Sequence, residues 1–472
     1  MEMNGIDVCT QTAHASLAAR IKSLAGFRFV PKDVLDAMDR LWTGGFGVWI
    51  VGGSLRDFLM GRPIKDWDLA TTASPEQVAG IFPRVIPVGI RFGTVVIHSS
   101  GRDIEVTSCS GGGGIIRDLN RRDFTVNAFG LAYPEGGFLD LNGGMEDLVS
   151  GTLRCVGNAR LRFREDGLRI LRACRFVSVL GFRVHPSAKE GMKVEAAVLG
   201  RVAPERIRDE MVKILLGKHV VRSLEMMRRV GVLGMVLPEL DEGYRRKRNR
   251  SDGLDAFHET LYAVRKCPER VRVRLSALFH RIGELPVPQT GGRRAERWNR
   301  RAESSRVAAR VMQRWRMSRK EIREVSLLVG SQLGLKGRES AEAELRRLYG
   351  QLGLALVEDL MALAQVRFGL RPSRDLLLQR IRCLQGAFSR IAGEKRLAGV
   401  KDLAVGGNDV MEALGLPPGP LIGRILATLY RKVLDDPAMN DYERLMKLLK
   451  VDSRGILAEI LAGDDPNAGR SG

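Results

Sequence analysis

The sequence predicts an α+β protein: a small mixed β-sheet with helices first, then helices alone. Two observations carry this. From residue 47 to about 141, short β-prone apolar runs alternate with turn residues. Beyond about residue 145 the strand signals stop, and amphipathic patterns rich in Leu, Ala, Arg and Glu run to the end. A chain of 472 residues is long enough to bury a large core, in about three domains.

Taken in order, residues 1–25 contain acidic groups and no apolar core segment, and read as a poorly ordered extension or a short helix rather than a secretory signal. Residues 32–43 show helical apolar spacing. Residues 47–51 are short, apolar and β-prone, as in a buried strand. Residues 65–71 read as the next strand. Phe92–His98 and Asp103–Thr107 read as a hairpin around Ser-Ser-Gly-Arg. An apolar helix is expected to begin near Arg121–Ala128, and a longer one to carry Arg164–Phe176. Boundaries fall near Gly217, within 284–305 and near 393–405.

The turn Gly52-Gly53-Ser-Leu-Arg56-Asp, nine residues ahead of Asp66-Trp67-Asp68, is the densest chemical signal. Two glycines at a strand end let backbone N–H groups approach an anion, and Arg56 follows within reach of a phosphate. In a strand, positions i and i+2 share a face, so Asp66 and Asp68 point the same way. A phosphate cradle beside paired carboxylates suits Mg2+-assisted phosphoryl or nucleotidyl transfer. A lone Asp-x-Asp is otherwise a solvated strand edge. Glu105 is a candidate third carboxylate and equally a solvent-facing strand residue. Asp123 and Asn127 sit where a helix is expected to start; the plain reading there is a capped helix with two surface arginines.

Asp166 and Arg169 stand three apart, which on a helix makes either an ion pair or a base-reading pair. A carboxylate accepts from the amine of C or A while an arginine donates to the adjacent ring acceptors; U and G present a carbonyl instead. Arg172 and Arg175 continue the stripe towards a triphosphate.

The charge balance agrees with a polyanionic partner: 76 Lys and Arg against 55 Asp and Glu, net +21. Clusters lie at Arg245–Arg250, Arg293–Arg301 and Arg306–Arg319. The six cysteines (9, 109, 155, 174, 267, 383) are scattered without metal-ligand spacing, as for free thiols in a reducing cytoplasm. No apolar run is long enough to span a membrane.

Three stretches together resemble the class II tRNA nucleotidyltransferases, CC- or CCA-adding, of the bacterial tRNA nucleotidyltransferase/poly(A) polymerase family. They are Val51–Asp68, Asp118–Thr125 and Arg164–Phe176. The resemblance implies a nucleotidyltransferase head over 1–145 and a helical neck with the base-selecting motif over 146–217. A helical body would follow over 218–395, with a tRNA-binding tail over 396–472. It implies that Asp66 and Asp68 hold Mg2+, with Glu105 beside them. Gly52, Gly53 and Arg56 would bind triphosphate. Arg122, Arg172 and Arg175 would contact the nucleotide's phosphates or sugar, and Asp123 and Asn127 join that set. Asp166 and Arg169 would pair with the incoming base. Implied partners are the tRNA 3′ end and elbow, with CTP and ATP as candidate nucleotides. Val88–Val95 and Gly406–Asp409 are similar to the tRNA branch rather than the polymerases. Phe257–Thr260 and Ala277–Gly283 resemble a fused phosphohydrolase domain, but Arg281 stands where that domain needs an Asp, so helical scaffold without hydrolase activity is expected.

One departure bears on the product. Family members that add C, C and A carry a flexible loop, usually with Arg-Arg-Pro, between the Glu-Val-Thr strand and the Arg-Arg-Asp motif. Here Ser108–Asn120 is short, lacks Arg-Arg-Pro and contains the run Gly111–Gly114. A missing lever leaves the pocket in its C state. The leading expectation is therefore a CC-adding enzyme with a separate A-adding enzyme acting on the same tRNA. The alternatives are full CCA addition, poly(A) synthesis and a non-enzymatic RNA-binding module.

Overall fold

The computed structural model describes residues 19–89, 93–99, 101–110, 112–245, 256–284, 300–331, 345–346, 348–349, 352–368, 379, 382–389, 400–452 and 455. Most of the N-terminal extension, of Arg245–Arg250 and of Arg293–Arg301, and the middle of Val88–Val95, lie outside them. The chain divides into two compact units, residues 1–241 and 242–472.

The first unit is α+β. Helix α1 (Lys32–Thr43) starts after Pro31 and buries Val34, Met38 and Leu41. Strand β1 (Val48–Val51) feeds the short helix α2 (Gly53–Leu59). Then come β2 (Trp67–Thr71), α3 (Pro75–Ile81) with a Ser74/Gln77 capping box, β3 (Val85–Gly89), β4 (Thr94–Ser99) and β5 (Arg102–Ser108). Helix α4 (Gly114–Asn120), strands β6 (Phe129–Tyr133) and β7 (Phe138–Asp140), α5 (Gly144–Ser150) and β8 (Thr152–Leu153) follow.

Seven strands form one sheet in the order β3-β4-β5-β2-β1-β6-β7. It is mixed because β2 and β5 run parallel while the other neighbours are antiparallel. In the parallel register Asp68 lies opposite Glu105. The alternation expected of a half-buried strand holds on β5: Ile104 and Val106 are fully buried while Asp103 and Glu105 are exposed.

Three local expectations need correction. The strand carrying the carboxylates begins at Trp67, so Asp66 precedes it by one residue. The helix expected at Arg121–Ala128 is a single 3-10 turn over Thr125–Asn127, after which the β-prone Phe-Gly-Leu-Ala-Tyr run enters the sheet as β6. Strands also do not end at 145, since β8 pairs in parallel with β9 (Arg183–Val184); two residues each are too few to leave a periodic signal.

The helical part of this unit comprises α6 (Ala159–Glu165), α7 (Leu168–Leu180), α8 (Pro186–Glu195), α9 (Pro204–Leu215), α10 (Val220–Arg229) and α11 (Val232–Val236). Helix α7 buries Leu168, Ile170, Leu171, Cys174 and Phe176. The division between the units falls within α12 (Pro238–Arg245).

The second unit contains only helices among its described residues: α13 (Ala256–Lys266), α14 (Val271–Phe279), α15 (Arg300–Arg314), α16 (Arg319–Gly330), α17 (Leu354–Phe368), α18 (Gly407–Leu414), α19 (Pro420–Asp435) and α20 (Tyr442–Val451), with short 3-10 turns. One apolar cluster gathers around Leu328, Leu345, Leu360 and Leu384, another around Val410, Ile425, Leu429 and Leu445. Arg281 forms an ion pair with Glu259, and the His280 ring bonds the Ala277 carbonyl at 2.7 Å. Among the described residues no three His, Cys, Asp or Glu side chains gather as a metal site, and no helix is long and apolar enough to cross a membrane.

Gly144 shows how tightly the head is packed. A Cβ there would fall on the Thr125 carbonyl oxygen and lie 2.7 Å from the Phe129 ring. Gly144→Ala is therefore expected to destabilise the fold by about 2 kcal/mol, as overpacking does; urea denaturation followed by tryptophan fluorescence measures it, and an unchanged midpoint would contradict this packing.

Candidate active site

The site is built where β1 ends. Gly52 adopts φ 75° and ψ −137°, a conformation open to glycine. A Cβ on it would lie 2.8 Å from Arg122 Nη1 and 2.9 Å from Asp68 Oδ2. This turn thus brings the backbone against a carboxylate and a guanidinium at once. The Gly53 N–H donates to the Asp68 carboxylate. Burial first, then the charge of Glu105, push the Asp68 carboxyl up to about 6; Asp66 adds to this, while Arg122 and the Gly53 N–H act against it.

Glu105 is exposed beside Asp68, and Asp66 is exposed at the mouth of β2. The donor set therefore offers hard oxygen ligands from Asp66 and Asp68, either side of Trp67, at a place where carboxylate charges repel one another. That fits Mg2+, which takes one or two carboxylates and completes its shell with water and substrate phosphates.

Arg122 donates through Nε and Nη2 to Asp118 Oδ2 at 3.0 and 2.9 Å, and Arg121 donates to the other oxygen at 3.1 Å. Asp118 is itself buried. Arg56 is also largely buried: Nη1 donates to Asn127 Oδ1 at 2.5 Å, Nε and Nη2 donate to Asp57, and the guanidinium lies 5.2 Å over the Phe176 ring. The other face of the network is Asp123. Its Oδ1 accepts from the Phe124 N–H at 2.8 Å and from Asn127 Nδ2 at 3.2 Å; its Oδ2 accepts from Arg172 Nε at 2.7 Å. Burial acts to raise the Asp123 carboxyl, but the Arg172 charge and these hydrogen bonds outweigh it and hold it below the usual range. Arg175 donates to the buried Glu210 at 3.2 Å and lies 4.9 Å over the Phe176 ring. Burial lowers its pKa, against the pull of Glu210.

Asp166 and Arg169 do not share a helix. The expected single helix breaks: α6 ends at Glu165, Asp166 is extended (φ −147°, ψ 106°), and α7 begins at Leu168. Gly167 is a weak helix former, and Asp166 Oδ1 accepts from the free Leu168 N–H at 3.0 Å, starting a new helix. The two side chains consequently pair elsewhere. Arg169 donates to Glu165 Oε2 at 2.7 Å, to the Arg162 carbonyl at 3.1 Å and to the Arg121 carbonyl at 3.2 Å. Asp166 pairs with Arg206 of α9.

A cavity of about 680 Å3 is lined by Thr94, Thr107, Asp118, Arg121, Arg122, Arg162, Glu165 and Arg169. Six of these were not singled out as site residues from sequence: Thr94, Thr107, Asp118, Arg121, Arg162 and Glu165. Arg206, outside the lining, pairs with Asp166 and was missed as well. Arg162 bonds the Asn120 carbonyl at 2.7 Å and Glu165 at 2.9 Å. Its i,i+3 spacing from Glu165 was a usable signal. Arg206, 40 residues from Asp166, left none.

The poly(A) polymerase head domain model matches residues 48–113 and 113–154. A "Probable RNA and SrmB- binding site of polymerase A" matches 181–244, and tRNA nucleotidyltransferase domain 2 matches 302–449. Over 444 residues the chain is 31% identical to a CCA-adding enzyme of Geobacillus stearothermophilus, spanning 90% of this chain and 97% of that protein. A CC-adding tRNA nucleotidyltransferase of Halalkalibacterium halodurans is 34% identical over 268 residues, 54% of this chain and 71% of its own. The crystal structure of the Bacillus stearothermophilus CCA-adding enzyme in complex with CTP aligns with a TM-score of 0.67 at 28% identity, over 91% of this chain and 98% of that one.

The Asp123 network gives a stability prediction. Because its folded pKa lies below the unfolded value near 4, its contribution is complete above about pH 5 and is lost as acid carries the pH down through the folded value. Asp123→Asn leaves Arg172 without its counter-charge and should cost about 3 kcal/mol at neutral pH. It should also flatten the acid limb of the stability curve. Denaturation at a series of pH values checks both; a parent-like acid limb would show that another group carries it.

Proposed function

Because this chain belongs to the tRNA nucleotidyltransferase family that includes the CCA-adding and CC-adding enzymes, we propose that it extends the tRNA 3′ end with CMP from CTP, releases pyrophosphate and stops after two additions. Residues 1–145 are the catalytic head, 146–217 the base-selecting neck, 218–395 the body and 396–472 the tRNA-binding tail. A tRNA substrate implies a cytoplasmic place of action.

In this reading Gly52, Gly53, Arg56 and Arg122 receive the triphosphate, the side-chain-free turn letting it approach and Arg122 beside the turn donating to its oxygens. Asp66 and Asp68 would hold Mg2+, with Glu105 tuning Asp68 by its charge. When bound, Mg2+ would activate the 3′ hydroxyl and offset charge on the departing pyrophosphate. Arg172 and Arg175 approach the nucleotide's sugar and phosphates, and Asp123 and Asn127 hold Arg172 and Arg56 in place. Asp166 accepts from the amine of cytosine while Arg169 donates to its ring nitrogen and carbonyl. Uracil would set a carbonyl against a carboxylate oxygen, two acceptors without a proton between them.

The observation that carries the stop after CC is the connection from β5 to α4. Seven of the thirteen residues from Ser108 to Asn120 are α4 itself, and Ser108 closes β5. Only 109–113 connect the two. Cys109 is tied to the sheet by its N–H and its thiol, both on the Thr71 carbonyl, at 2.7 and 3.1 Å. At the other end Leu119 packs with Val51 and Ala70. A link this short and this anchored has no free length with which to reshape a pocket. The head-domain match also divides at residue 113. Full CCA addition is the second reading, favoured by whole-length similarity to CCA-adding enzymes; poly(A) synthesis and RNA binding without catalysis complete the alternatives. A separate A-adding enzyme would then finish the same tRNA.

Incubating tRNA lacking its 3′ end with CTP and ATP together, then sequencing the ends, should yield predominantly +CC. A dominant CCA product would replace this reading with the second, and A-runs with the third. Asp68→Ala is expected to lower incorporation by at least a hundredfold, in line with loss of a metal ligand, with tRNA binding in filter assays nearly intact; unaltered incorporation would remove Asp68 from the chemistry.

A further inference from the structure

We infer that Arg206, on α9, is a positioning residue for nucleotide selection that fixes the plane of the Asp166 carboxylate; this rests on the base-reading role proposed for Asp166. The geometry is a fork. Arg206 Nη2 lies 3.0 Å from Asp166 Oδ2 and Nη1 lies 3.4 Å from Oδ1. On the other side Oδ1 accepts from the Leu168 N–H at 3.0 Å. A carboxylate has about four acceptor positions. Two on Oδ1 and one on Oδ2 are thus taken, and the position left lies on Oδ2.

That arrangement matters because Asp166 has no helix to hold it. Its backbone is extended between α6 and α7, and a carboxylate is free to turn about its last bond unless something fixes it. The Leu168 N–H pins one oxygen but leaves rotation about that contact. The planar guanidinium removes it, as paired N–H donors do for a carboxylate. A base amine arriving at Oδ2 then meets a lone pair held in one direction, and a base carbonyl meets an oxygen that cannot turn away. Arg169 is immobilised independently, by Glu165 and two backbone carbonyls. Each reading side chain has its own brace, and Arg206 is the one for the acceptor.

Arg206 is more than half exposed, so its substitution leaves the core untouched. Arg206→Met, Arg206→Lys and Asp166→Asn are compared with the parent for kcat and KM with CTP and with UTP. The expected result for Arg206→Met is a roughly tenfold fall in the CTP-over-UTP ratio of kcat/KM, the scale of one misaligned hydrogen bond, carried mostly by a gain with UTP. Arg206→Lys, which keeps the charge but not the fork, should recover little of it. A ratio unchanged in Arg206→Met while Asp166→Asn collapses it overturns the inference and leaves the base-reading proposal standing. A ratio unchanged in both overturns the two together. Full recovery by Lys would make Arg206 a charge rather than a brace, and also overturns the inference.

Discussion

The buried carboxylate of Asp123 is the interaction on which the site's geometry rests. It sits just ahead of the 3-10 turn that leads into the sheet and meets Arg172 from helix α7. Through Asn127 it reaches Arg56 in the last turn of α2. A strand-end turn, a helix and a turn distant in sequence are thereby locked by one negative charge. Burying that charge alone would cost several kcal/mol; the guanidinium and two further N–H donors compensate it, and the same contacts leave Arg56 and Arg172 little freedom. Phe176 completes the joint, with Arg56 and Arg175 against its ring and Phe124 edge-on at 5.6 Å.

Much of this was legible in the chain because it is local. Val48 to Asp68 is one strand, one turn, one short helix and the start of another strand, so apolar runs and glycine chemistry suffice to place it. The pairing of Glu105 with Asp68 is different: it depends on parallel strands 37 residues apart, and only the sheet order supplies it. The break at Asp166 and Gly167 was hidden by a competing pattern. Arg162, Glu165 and Arg169 keep helical spacing straight through it and do interact at that spacing, across the end of α6. Local side-chain capping by Asp166 outweighed that periodicity. The run from Phe129 to Tyr133 is β-prone in itself, and pairing with β1 and β7 on either side fixes it in the sheet.

The β5–α4 connection joins two rigid attachments rather than two mobile ends. On one side the Thr71 carbonyl holds Cys109; on the other, the last carbonyls of α4 accept Arg162 and Arg169. Helix C-termini attract cations because their carbonyls lack partners, so α4 is a natural anchor for Arg162 of α6 and Arg169 of α7. The side chains that α4, α6 and α7 bring to the cavity are therefore set relative to each other by backbone groups, which substitutions of neighbouring side chains leave in place.

Those attachments also change what the arginines around the cavity mean electrostatically. Arg121 and Arg122 share Asp118, and Arg162 and Arg169 share Glu165. Four cations thus face two anions. A polyphosphate entering the cavity would exchange the carboxylate partners of these arginines for phosphate ones. Ionic strength would then weigh on binding there much less than four free arginines imply, whereas contacts of a net +21 chain with a long polyanion would keep their full salt dependence.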